Sequence, residues 1–253
     1  LFVAPALYLV VPTELALSGH RANVSPYANT QIARFLESEI TARIENVSGK
    51  KMNLSVRKER AQELAVTIAE ASYTYGVDPF LILSMIEVES RYDQHALGLH
   101  GEIGLMQIKP ATASWVTPSA DGLWNCDLHE VRCNIMSGTR YVSHIQRKIE
   151  TRTVAPQTEG DYIRARSLRT AEALREHVLR SYNLGPAKAN RLAINRFPAL
   201  ESDRVPYATK IARKTDRMRS RFLVAASNIT AHTPSRRPQS IFGDSLTAVA
   251  SSR

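Results

Sequence analysis

Glu89 and Ser90, followed after a glycine-punctuated stretch by Gly104-Leu105-Met106-Gln107-Ile108 and Pro110, are the residues whose types and spacing best suit chemistry. The pattern places Glu89 in the last turn of a helix. Backbone carbonyls there present partial negative charge, so an ionised carboxylate is disfavoured. Nearby Ile86, Leu105 and Met106 would keep water away and push the carboxyl in the same direction. A pKa raised by about two corresponds to roughly 2.7 kcal/mol, which a folded domain tolerates, and it keeps a proton available near neutral pH. The chemistry predicted is general acid catalysis by one carboxyl group in the wall of a cleft.

That acid needs a helix to carry it. Asp78-Pro79 supplies an N-cap and a proline for the first helical position, so a helix is expected over residues 79–90 with Ile82, Ile86 and Glu89 on one face. Before it, Ala61, Leu64, Ala65, Ile68, Ala69 and Ser72 form a stripe of small residues over 56–75, and Gly76 is a natural stop. Residues 27–47 carry Ile32, Phe35, Leu36, Ile40 and Ile44 at helical spacing, and Gly49-Lys50-Lys51 ends that pattern. After the acid, Gly98, Gly101 and Gly104 suit a tight hairpin or a loop that brings backbone close to a ligand.

Further helices are expected over 110–115, over 134–150 with Ile135, Val142, Ile145 and Ile149 inward, and over 161–183. The last of these is marked by Ile163, Leu168, Ala171, Leu174 and Val178 and broken at Gly185-Pro186, with residues 151–160 read as a polar linker. Pro206 opens a final helix over 207–223, dense in Lys210, Arg213, Lys214, Arg217, Arg219 and Arg221. Few stretches alternate with the period of two that a sheet needs. The expected fold is mainly α, with at most a small β-hairpin beside the cleft.

With 253 residues and 43% apolar content, the chain can bury a core without help from a metal or disulfide. The net charge of +9 favours an anionic partner: nucleic acid, a membrane surface or an acidic polymer. No helix-turn-helix, zinc-finger or aromatic-rich strand pattern accompanies it, so nucleic acid is not expected. Seven histidines are scattered without a ligand pair, and neither metal nor cofactor is expected. Cys126 and Cys133 would close a small loop worth on the order of 2–3 kcal/mol if oxidised. Residue types alone leave open a bridge or two thiols, and an exported location favours the bridge.

The domain organisation expected is a truncated signal or anchor segment over 1–26, since the apolar run over 1–11 has the length of a signal-peptide core and is too short to span a bilayer. A helical extension follows over 27–50, then a catalytic domain over 51–223 with an inserted segment at about 151–180. The Ser/Thr/Pro/Arg-rich residues 224–253 are expected to be a disordered tail.

Four ordered blocks resemble a known family. Glu89-Ser90 with Gly104-Leu105-Met106-Gln107-Ile108, Pro110 and Thr112-Ala113 is similar to the catalytic motif of the soluble lytic transglycosylases, which belong with the goose-type lysozymes. Asn134-Ile135 with Gly138-Thr139-Arg140-Tyr141, then Tyr182-Asn183 with Gly185-Pro186, and a helix opening at Tyr207 follow in the same order, so the resemblance covers residues 64–218. It implies a lysozyme-like helical domain in an exported, periplasmic or membrane-associated protein. The implied activity is cleavage of the β-1,4 bond between N-acetylmuramic acid and N-acetylglucosamine in peptidoglycan, leaving a 1,6-anhydromuramyl end.

By matched position, Glu89 is the single catalytic acid and base, and Ser90, Met106, Gln107, Tyr182, Asn183 and Tyr207 bind substrate. Ser90 and Gln107 would hydrogen-bond the sugar or orient Glu89, Met106 would pack on a sugar face, and Tyr182 and Asn183 would hold the cleft opposite the acid. Ser181 stands where the family usually has Ala, and the length between Glu150 and Tyr182 exceeds that of short members, which bears on the cleft's outer wall.

The residues themselves agree with a one-acid mechanism. Glycosidases with two carboxylates need the second at a defined separation. Glu87, two positions from Glu89, faces elsewhere on a helix, and Glu102 lies in the glycine loop. A sugar's own C6 hydroxyl as nucleophile removes the need for a second carboxylate. Two alternatives remain at this point: a goose-type-like muramidase using Glu102 to activate water, and a wall-binding accessory of a secretion machine with little turnover, docked on an anionic wall or membrane through the basic last helix.

Overall fold

The computed structural model describes residues 30–44, 46–47, 50–117, 126–161, 170–195 and 206–231. The expected leader, most of the tail, Ile163 and Leu168 lie outside the described residues. Within them the chain is helical: α1 (Gln31–Arg43), α2 (Leu54–Tyr75), α3 (Pro79–Glu89), α4 (Pro110–Val116), α5 (Val131–Val154), α6 (Ala171–Leu184), α7 (Pro186–Asn195) and α8 (Tyr207–Ala231). A two-residue antiparallel pair, β1 (Asn46–Val47) and β2 (Lys50–Lys51), joins α1 to α2.

Local chemistry sets the helix ends. The side chains of Thr30, Asn53 and Asp78 accept from Ala33 N, Val56 N and Phe80 N and so satisfy first-turn amides of α1, α2 and α3. Gly76, at φ +68°, adopts the left-handed conformation that ends α2. α3 is the central element. Every residue from Phe80 to Ile86 is buried, as a helix surrounded by others requires. α2 and α8 pack against α3, with α1 and α5 against α2 and α6 bridging α5 and α8. The core runs through Leu36, Leu64, Ile68, Ile82, Ile86, Leu105, Ile135 and Ile211. Phe35, Phe80 and Phe222 meet at ring separations of 5.3–5.8 Å and pin α1, α3 and α8 together.

Ion pairs fasten α8 to the same elements. Lys214 holds Glu87 and Arg219 holds Asp78, both acids belonging to α3 or its cap. Arg221 reaches the buried Glu39 of α1 at 2.8 Å. The helix read from sequence as a basic face therefore spends three of its six named cations on ion pairs to α1 and α3, although Arg221 itself is exposed. Lys210, Arg213 and Arg217 stay exposed.

Several boundaries differ from those the sequence suggested. α5 begins at Val131 and continues through Val154, into the stretch read as linker; Val131 and Cys133 are buried, and Thr151 Oγ1 donates to Arg147 O at 2.8 Å. The break at Gly185-Pro186 proves to be a junction. Gly185, at φ +82°, redirects the chain and Pro186 starts α7, whose Ala189 is buried. α8 extends to Ala231, past the end expected near Leu223 and into the residues read as disordered, because Val224-Ala225-Ala226 contains no helix breaker. Beside Glu89 the expected hairpin is reduced to two isolated bridges, Leu97 with Ile103 and Ile103 with Ile108.

Candidate active site

Glu89 is the last residue of α3, and Ser90 caps the helix with its N–H bonded to Ile86 O at 3.1 Å. Burial pushes the Glu89 carboxyl up, the hydroxyl of Tyr207 donating to its Oε1 pulls it down, and the negative charge of Glu102 pushes it up again. Burial prevails, and the group stands at about 7 instead of 4.5. A carboxyl so placed is both a usable acid and a usable base near neutral pH. Tyr207 opens α8, so the proline-initiated last helix delivers a neutral donor onto the acid. Its phenol is itself held well above the ordinary range by burial and by the charge of Glu89, and stays protonated.

Glu87, two residues earlier, is bound by Lys214 and lies 3.9 Å from Arg43, so it is turned away from that arrangement as helix geometry predicts. Glu102 accepts from His100 N at 2.9 Å and sits 3.4 Å from Lys109. Slight burial acts to raise its carboxyl, but the amide and the lysine outweigh that and hold it below the ordinary range.

The loop after Glu89 is held by α5. Asn134, in its first turn, accepts from Met106 N at 2.7 Å and donates to Ile103 O and Leu128 O, each at 2.8 Å. Gly104 is required beside it: at φ +74°, a Cβ there would lie 2.3 Å from Asn134 Nδ2. The disulfide between Cys126 and Cys133 spans the turn that contains Leu128 and enters α5. Tyr182 of α6 closes the arrangement, its hydroxyl donating to Met106 O at 2.8 Å and its ring lying 5.3 Å from that of Tyr141. Tyr182 is fully within reach of Glu89's charge, which together with burial keeps its phenol protonated.

The structure thus brings Glu89, Tyr207, Tyr182 and Glu102 together electrostatically, and gives several matched residues other work. Met106 does not present its side chain to a sugar; it is fully buried against Gly138, where a Cβ would come 2.6 Å from its sulfur. Gln107, at φ +48°, spends Nε2 on Ala96 O at 3.1 Å and Gly104 O at 3.0 Å, so it braces the loop and does not orient Glu89. Ser90 Oγ donates to Ile86 O at 3.1 Å within its own helix. Asn183 is exposed.

The bracing asparagine is what residue reading missed. Asn134 belongs to a matched block, but its own signal is that of a polar residue in the first turn of an apolar-striped helix, which marks something being held. Among the described residues no three His, Cys, Asp or Glu side chains converge as a metal ion needs.

Residues 66–202 match the family model described as "Transglycosylase SLT domain". That span contains Glu89, the braced loop, Asn134 and Tyr182, and stops short of Tyr207. The chain is 26% identical over 168 residues to the membrane-bound lytic murein transglycosylase C of Cronobacter sakazakii, covering 62% of this chain and 47% of that protein. It is 40% identical over 82 residues to the membrane-bound lytic murein transglycosylase E of Buchnera aphidicola subsp. Baizongia pistaciae, covering 31% and 39%. With the membrane-bound lytic murein transglycosylase C of Actinobacillus pleuropneumoniae serotype 5b it shares 34% over 88 residues, covering 33% and 24%. The chain spans less than half the length of these relatives.

Proposed function

Because the chain belongs to the transglycosylase SLT family, we propose that it cleaves the β-1,4 bond between N-acetylmuramic acid and N-acetylglucosamine in peptidoglycan, with Glu89 making both proton transfers. The observation that carries this reading is the Glu89 carboxyl itself, half-buried at the end of α3, held by the Tyr207 hydroxyl and titrating at about 7. Glu89 gives its proton to the glycosidic oxygen as the bond to C1 breaks. The carboxylate so formed takes the proton of the C6 hydroxyl as O6 bonds to C1, closing the 1,6-anhydro ring and restoring the acid. No water is consumed.

Tyr207 positions the carboxyl and Tyr182 fixes the Met106 carbonyl, while the exposed Asn183 is the matched residue still available to touch the strand. The relatives' printed names, membrane-bound murein transglycosylases, support an exported protein of the cell envelope. No helix among the described residues is long and apolar enough to cross a membrane. The exposed Lys210, Arg213 and Arg217 lie on one stripe of α8, and we assign that stripe to an anionic wall or membrane surface.

Digestion of purified sacculi followed by mass spectrometry tests the reaction. Anhydromuropeptides, lighter by one water than reducing-end products, are expected from wild type and none from Glu89→Gln with its helical circular dichroism intact. Hydrated reducing ends would overturn the reading in favour of a muramidase, for which the ionised Glu102, close enough for its charge to act on Glu89, is the base that would activate water.

A further inference from the structure

A pocket of about 370 Å³ opens beside the candidate active site between α4, α5 and the α6–α7 junction. An aromatic row leads to it. The Tyr182 ring lies 5.3 Å from Tyr141, Tyr141 lies 6.4 Å from Trp115, and Trp115 lies 4.7 Å from His144. Trp115 is exposed for about two-thirds of its surface, an unusual state for the largest apolar side chain unless something covers it.

The other wall is cationic. His144, Lys148 and Arg152 recur every four residues along α5, so they share one side of the helix and line the same space. No acid among the described residues pairs with Lys148 or Arg152. Two further polar atoms in the wall, His144 Nε2 and Ser181 Oγ, are buried without a hydrogen-bond partner, and Ser181 is only 1% exposed. Buried polar groups are ordinarily satisfied, so among the described residues this pocket has unspent hydrogen bonds, positive charge without a paired acid, and a flat apolar wall. Burial, then Lys148 and Arg147, lower the pKa of His144, which makes it a neutral hydrogen-bonding group beside the cations.

That combination does not match the sugar backbone of a stem-bearing strand, which offers Lys148 and Arg152 no charge because each muramyl lactyl carboxylate is tied up in the amide to its stem. It matches a short peptide with free carboxylates and apolar side chains. We propose that this pocket binds the acidic stem peptide carried by the glycan strand on which Glu89 acts, with Lys148 and Arg152 at its carboxylates, Trp115 and Tyr141 along its apolar body, and His144 and Ser181 at its amides. The identity of the ligand rests on the activity proposed above, and Ser181 takes on a purpose at the position where the family usually has Ala.

The test compares two substrates: strands that keep their stems, and the same strands stripped of peptide by an amidase, whose one remaining acid per disaccharide is the lactyl carboxylate on the sugar itself and not a carboxylate of the stem. Reversing both charges, Lys148→Glu with Arg152→Glu, is expected to lower kcat/KM on stem-bearing strands by on the order of tenfold, as two partly exposed ion pairs allow, and to leave kcat/KM on stripped strands unchanged. Equal losses on both substrates, or no loss on either, would overturn the proposal.

A binding arm uses the inactive Glu89→Gln protein, with Trp115 fluorescence or chemical shifts as the readout. A stem-bearing disaccharide–peptide is expected to saturate the pocket and to lose that binding on charge reversal. Failure to bind, or tighter binding of the free tripeptide stem than of the strand-linked one, would overturn it. Should wild type cleave neither substrate, the proposed activity falls, and this arm still decides whether the pocket takes an acidic peptide.

Discussion

Replacing Glu89 by glutamine is expected to stabilise the protein, and to do so only at the pH where the carboxyl would be charged. In the folded chain this group titrates at about 7, against 4.5 for an ordinary glutamate. Below pH 4.5 both folded and unfolded chains hold the proton, and Glu89 costs nothing. Between pH 4.5 and 7 the unfolded chain has released a proton that the folded chain still holds, so stability falls as pH rises. Above pH 7 the cost is complete. At about 1.4 kcal/mol per pH unit it amounts to roughly 3 kcal/mol. Glutamine never ionises, and its side-chain oxygen still accepts from Tyr207, so the change is confined to charge. Urea unfolding of both proteins at pH 4.5 and pH 8 reads the effect, and every other titrating group cancels in the difference. The advantage of the glutamine protein should grow by about 3 kcal/mol between the two conditions. An advantage that is equal at both, or that shrinks at pH 8, would refute the reading of Glu89 as a carboxyl kept protonated by burial.

Tyr207→Phe removes the hydrogen bond that favours the charged form of Glu89, so the alkaline limb of the pH–activity profile should move upward from about 7. A profile that falls at lower pH instead would contradict the assigned direction. Gly104→Ala should cost about 2–4 kcal/mol in thermal or urea unfolding, and activity with it, since the new Cβ meets Asn134 Nδ2 at 2.3 Å and Leu128 O at 2.6 Å. Gly101→Ala is the control: its φ of +82° is as unfavourable, but nothing lies within 4 Å, so it should cost only about 1 kcal/mol. Reducing the Cys126–Cys133 bridge should lower stability by roughly 2.5 kcal/mol, seen as a fall in Tm with reductant that the Cys126→Ala/Cys133→Ala protein does not show.

Helix identity was legible wherever a local device declares it. Asp78-Pro79 announced α3, Gly76 ended α2, and the apolar stripes of α1, α2 and α5 named their inward faces. Extents were less legible. Thr151 to Val154 are polar enough to read as linker, yet they continue α5 because helix propagation needs only the absence of a breaker. The matched blocks pick out the candidate site, but they do not state roles. Met106 and Gln107 carry a recognisable motif for reasons of packing and backbone bracing: one fills the notch above Gly138, the other ties Ala96 to Gly104. Sequence spacing cannot separate a residue that touches a ligand from one that holds the loop that does.

The treatment of Glu87 and Glu89 shows what no local pattern contains. They have the same residue type and stand two positions apart on one helix, so spacing sends them to different faces but does not say what each will meet there. The difference comes from α8, more than a hundred residues later. Lys214 brings a cation to Glu87, while Tyr207, two turns earlier on the same helix, brings a neutral phenol to Glu89. A lysine in place of Tyr207 would supply opposite charge to the Glu89 carboxyl and drive off its proton near neutral pH. A phenol aligns the carboxyl through one hydrogen bond and leaves burial to set its titration. The helix that fastens the fold with Lys214, Arg219 and Arg221 therefore also sets the two glutamates apart, giving Glu87 a cation and Glu89 a phenol, and the arrangement around Glu89 is complete only once α8 has docked on α3.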